Sequence, residues 1–139
     1  MKLIYFLEII FLTIETIKDI KTQTVDLREL LFFLILGFIV RILGVQESVW
    51  GIVPGLFVGV IMLLISFLSG EAIGYGDGMV VLVTGALCGI RLTLLTLLIA
   101  FFVMAVFAIC LIIRKGFYYR EKIPFVPCIL VGFLGGLIL

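Results

Sequence analysis

Long apolar blocks, each interrupted by very few charges, limit what this chain can fold into. Val49 to Leu68 contains no Asp, Glu, Lys or Arg, and Gly78 to Ile113 contains only Arg91. A water-soluble domain would alternate such residues with polar ones at a period of 2 or 3.6. Hydrophobic residues make up 65% of the chain and charged ones 14%, where a soluble domain carries about a quarter charged. With a mean hydropathy of +1.47, the chain is expected to be an integral membrane protein. Its fold class is then all-α, a polytopic bundle of about six transmembrane helices forming a single membrane-embedded domain over residues 1–139.

Six segments fit a bilayer, which takes roughly 17–25 residues per helix and fewer where it thins. They are Leu3 to Ile17, Leu27 to Leu43, Val49 to Leu68, a fourth starting near Asp77 and ending before Arg91, Leu92 to Ile113, and Ile123 to Leu139. Arg91 divides a stretch too long for one span. The fourth helix is therefore short, about 20 Å at 1.5 Å per residue, and Asp77 sits slightly below the membrane surface. The N-terminal stretch carries Glu8 and Glu15 and is followed by no small-residue cleavage site, so it is expected to remain as a first span.

Basic residues set the orientation. Lys18, Lys21, Arg28, Arg114, Lys115, Arg120 and Lys122 fall on one side, against Lys2, Arg41 and Arg91 on the other. The richer side is expected to face the cytoplasm, in a cytoplasmic (inner) membrane, with both termini outside. Asp19 and Asp77, remote in sequence, share that cytoplasmic side.

Several classes of chemistry are excluded. Cys88, Cys110 and Cys128 stand singly in apolar segments, with no CxxC pair and no His in the chain. No metal site is expected, and no cofactor. The cysteines are read as small hydrophobic fillers. A net charge of +1 argues against nucleic acid. Glycines four residues apart (Gly51, Gly55 and Gly59; Gly85 and Gly89; Gly132 and Gly136) are read as close-packing positions between helices.

The acids sort by position. Glu8 and Glu15, seven apart, share one face of the first helix, which must turn inward because lipid would reject it. Asp26 and Glu29 suit the start of the second helix, and Glu47 and Glu121 are ordinary loop charges. Asp19, in "KDIKTQT", closes the first span, and Asp77, in "GYGDGM", opens the fourth. Each has a plain role open to it, as a solvated loop acid and a helix cap respectively. Brought together, two carboxyl groups can share a proton, one serving as base toward water while the other polarises a carbonyl. Gly74, Gly76 and Gly78 let the backbone turn tightly about Asp77 and admit an extended peptide.

Gly74-Tyr75-Gly76-Asp77 matches the GxGD motif of membrane aspartic proteases, "DIKT" at residues 19–22 matches a D-x-K-T stretch, and Pro124-Phe125-Val126-Pro127 matches a Pro-Phe-x-Pro signature. In order and topology the chain resembles the type IV prepilin peptidases and their preflagellin relatives, over essentially its whole length. The resemblance implies an aspartic endopeptidase, with Asp19 and Asp77 catalytic and Gly74 and Gly76 positioning the second. It implies a prepilin-like partner with a hydrophobic N-terminal helix, cut at its short basic leader on the cytoplasmic face. Lys21 is a supporting candidate beside Asp19. Glu71 either draws the leader's basic residues or is a bland loop charge, and Pro124 and Pro127 mark the third signature.

The chain departs from the family pattern at two places. Val25-Asp26-Leu27 replaces Ile-Pro-Asn, and Met79 stands where a Lys is common. The cysteine-containing region that accompanies methylation in larger members is not in this sequence, so cleavage alone is implied. Two other classes stay open: a small ion or proton transporter, and a non-catalytic pilus or secretion assembly protein. The sequence leaves the oligomeric state open. A presenilin-like protease would pair GxGD with Tyr-Asp, a dipeptide this chain lacks.

Overall fold

In lipid each backbone N–H and C=O must be satisfied within the protein, which favours helices throughout. The computed structural model describes residues 2–44, 49–69, 74–115 and 123–139, and among these the regular structure is helical. The helices are α1 (Lys2–Thr22), α2 (Leu27–Ile39) running into a π-turn at Val40–Gly44, α3 (Val49–Leu68), α4 (Tyr75–Lys115) and α5 (Val126–Ile138). Two stretches, Trp50–Leu68 and Tyr75–Arg114, are long and apolar enough to cross a bilayer, with mean hydropathies of 2.5 and 3.1. By contrast α2 and α5 have 13 residues each, about 20 Å against a hydrocarbon core of about 30 Å.

Local signals explain the element ends. α1 stops where Gln23 takes a positive φ of 50°, its N–H closing on the Asp19 carbonyl at 3.1 Å. α2 starts as expected, with the Asp26 side chain accepting the Arg28 N–H at 3.0 Å and Glu29 in the first turn.

α4 is broken, but at Gly89 rather than at Arg91. Gly89 has φ 76° and ψ 173°, a conformation open to glycine and strained for any other residue. Arg91 is exposed. A different arginine occupies the break: buried Arg41, whose Nη1 donates to the Ala86 carbonyl at 3.2 Å and packs against Gly89. A cation at the C-terminal end of residues 75–88 complements that segment's negative pole. Sequence reading saw the charge that interrupts the apolar run; the bend is made by the glycine two residues earlier.

Each half of α4 has its own neighbour. A Cβ on Gly55 of α3 would land on the Gly85 carbonyl, and one on Gly85 would meet the Gly55 carbonyl, so the backbones touch, as the small-residue spacing predicts. Residues 90–115 instead carry α5, where Gly132 and Gly136 face Thr96, Ala100 and Leu92. The core between helices holds Phe11, Leu12, Val80, Leu87, Ile129 and Phe133, with the Phe11 and Phe33 rings 4.9 Å apart. Trp50, Phe57, Leu68, Phe102 and Ile113 point outward, as a lipid-facing surface would have them.

Candidate active site

Asp19 lies on the last turn of α1, two residues beyond the apolar stretch that ends at Ile17, and is 8% exposed. Its Oδ2 accepts the Val126 N–H at 3.0 Å, and the Phe125 backbone also hydrogen-bonds to it. Both donors stand where α5 begins, so the positive end of that helix is turned on the carboxylate. Burial pushes the Asp19 carboxyl above its ordinary range, and the two backbone bonds draw it partly back.

Asp77 sits in the first turn of α4, half-buried. The Gly74 carbonyl accepts the Asp77 N–H at 3.1 Å and the Gly78 N–H at 3.4 Å, and the Gly74 backbone hydrogen-bonds to the Asp77 carboxyl. This closed turn holds the side chain back over its own loop. Gly76 meets the Val25 side chain, which a Cβ at that position would displace. Gly76 thus lets the turn press against the α1–α2 connection.

Asp77 feels the Asp19 charge, so helices far apart in sequence bring the two acids to one end of the bundle. Cys128 on α5 feels both charges. A cleft of about 440 Å³ opens at the end of α1 and the α1–α2 connection, lined by Lys18, Thr22, Thr24, Val25, Asp26 and Leu27. Val25 joins it to the Gly76 turn. Lys18 forms an ion pair with Glu29 at this edge.

The family model of the type IV leader peptidases matches residues 6–109, a range that includes both aspartates. The chain belongs to the type IV leader peptidase family. No curated protein and no solved structure matched it. The family is a peptidase family, which gives a pair of acids at one end of an apolar helical protein a chemical context.

The remaining candidates of this leader peptidase fall variously. Lys21 is exposed on the last turn of α1, and no ion pair joins it to Asp19 among the described residues. Pro124 and Pro127 flank the α5 start, Pro127 at the second helical position, where its missing N–H costs nothing. Glu71 lies outside the described residues. Glu8 and Glu15 turn inward, each 0% exposed, with carboxyl oxygens that lack a hydrogen-bond partner among the described residues. Thr84 lies beside Glu8, but its hydroxyl donates to the Val80 carbonyl at 3.0 Å.

Residues that sequence reading passed over are the Val126 and Phe125 amides, Cys128 and Val25. Only the amides had a signal, the Pro-Phe-x-Pro signature, and it marks the place without naming the N–H as the working group.

Proposed function

We propose that this leader peptidase is a membrane aspartic endopeptidase that removes the short basic leader from prepilin-like precursors (pilin, pseudopilin or Flp-like). Asp19 and Asp77 are its catalytic pair. The observation that carries this reading is the convergence of two remote carboxyl groups, near enough to repel, at one end of a chain of this peptidase family. Like charges a few Å apart favour a shared proton. One carboxylate then activates water and the other, protonated, polarises the scissile carbonyl, so the chemistry calls for no metal or cofactor.

The precursor's hydrophobic helix lies in the lipid beside the enzyme's, and its leader reaches the cytoplasmic rim. The cleft at Lys18, Thr24 and Asp26 is an entry for the extended segment that joins them. On this reading the whole chain is one domain in the cytoplasmic membrane, with six segments crossing, both termini outside and the dyad inside. The Gly89 break supports counting α4 as two crossings.

Asp19→Asn and Asp77→Asn are each expected to abolish processing of a co-expressed precursor while membrane insertion is unchanged. Appreciable cleavage by either single variant refutes the assignment. Glu8, buried near the middle of its span with carboxyl oxygens that lack a partner among the described residues, favours a transporter instead. Ion uptake into vesicles that depends on Glu8, with no proteolysis, would establish that reading.

A further inference from the structure

Two carboxyl groups that share a proton are interchangeable unless their surroundings differ. Here they differ. Asp19 takes a buried hydrogen bond from the Val126 N–H at 3.0 Å and a second from Phe125. Pro127 has no N–H to offer, and the Cys128 and Ile129 amides are committed to the Phe125 carbonyl at 2.9 and 3.1 Å. Val126 is thus the residue within α5 whose free amide reaches the acid. Asp77 sits in the first turn of its own helix and is held by Gly74 of that turn, whereas Asp19 draws its donors from the start of a second helix.

We propose that the Val126 amide is a positioning group that divides the work: it keeps Asp19 ionised as the base toward water and leaves Asp77 to carry the shared proton. This rests on the reading of Asp19 and Asp77 as the hydrolytic pair. The titratable groups facing Asp19 are Glu15 on α1, Asp77 on α4 and Cys128 on α5. Each of the three opposes a negative charge there only when itself ionised, and none donates a charge that would favour it, so the α5 amides are what sustain it. In the addition step Asp19 takes a proton from water as its oxygen bonds to the carbonyl carbon, and Asp77 gives its proton to the carbonyl oxygen. On collapse, a hydroxyl of the tetrahedral intermediate returns a proton to Asp77, the C–N bond breaks, and Asp19 protonates the leaving amine.

The test deletes one N–H. Replacing Val126 by its α-hydroxy analogue turns that amide into an ester and keeps the side chain; Val126→Pro removes the N–H by ordinary mutagenesis, and Val126→Ala retains it. The probe is a prepilin bearing its leader, reconstituted with the purified enzyme in detergent micelles. The ester is expected to move the acidic limb of the kcat/KM profile to higher pH by about one unit, with about tenfold lower kcat/KM below the parent limb. KM stays within about twofold, because the Val126 amide acts on a step after binding. Val126→Pro follows the ester where circular dichroism shows native helix content, and Val126→Ala leaves the limb in place.

An ester variant whose limb does not move, or an equal move in Val126→Ala, overturns the assignment. If Asp19→Asn or Asp77→Asn still cleaves, the pair itself is wrong. If both are dead and the limb stays put, only the division of roles fails.

Discussion

Gly89→Ala adds a Cβ to a residue with φ 76° and ψ 173°, in contact with Arg41 Nη1 3.3 Å away. Two responses are open to the protein, and both cost stability. If the bend is kept, alanine occupies a region suited to glycine, at about 1–3 kcal/mol. If the helix straightens, Arg41 loses the Ala86 carbonyl, and a charged hydrogen bond of about 1.5–3 kcal/mol goes with it. The protein takes the cheaper course, so a loss of about 1–3 kcal/mol is expected. For a chain of this length that lowers Tm by roughly 3–10 °C. Thermal unfolding in detergent micelles, followed by circular dichroism, measures it. Gly135→Ala is the control, because its Cβ meets only the flexible end of Ile99 at 3.2 Å. A Gly89→Ala protein that melts within about 1 °C of the parent, or no lower than the control, refutes this account of the bend.

Two further outcomes are expected. Gly76→Val forces the turn off Val25 and lowers precursor cleavage by at least about tenfold, since misplacing a reacting group by about 1 Å can cost a hundredfold; Val25→Ala in the same chain restores much of it, and failure of that rescue in an assay of the double variant removes Val25 from the site. Asp19→Asn is expected to raise Tm at neutral pH and to leave it unchanged below pH 3.8, the ordinary value for this group. The sign follows from linkage: the folded protein raises this carboxyl's pKa, so the stability present at acid pH is lost as pH rises through the raised value. Asparagine removes that loss and still accepts the Val126 N–H. A variant less stable than the parent at pH 7, by thermal scans across pH, contradicts it.

Sequence exposes what depends on side-chain type and hides what depends on backbone. The helical class was legible because apolar blocks such as Val49 to Leu68 have no other way to satisfy their peptide groups in lipid. Glu8 and Glu15 could be assigned an inward face because their spacing is that of two helical turns. Asp19 and Asp77 stood out as acids at the edges of apolar runs. Sequence bounds the fourth helix only as ending before Arg91, because charge is visible in a sequence and a positive φ is not; Arg41, the arginine that meets the bend at Gly89, comes from the turn after α2. The partner of Asp19 is a peptide N–H, which Val126 shares with any non-proline residue. Its importance comes from the direction in which α5 starts, a tertiary property.

The joint in α4 gives that helix the geometry of a lever. Residues 75–88 pack on α3 through Gly55 and Gly85, whereas residues 90–115 pack on α5, the helix whose leading end grips Asp19. From Gly89 to Asp77 the arm measures about 18 Å. A rotation of about five degrees at that pivot swings Asp77 through about 1.6 Å, enough to switch a hydrolytic pair between engaged and disengaged spacing.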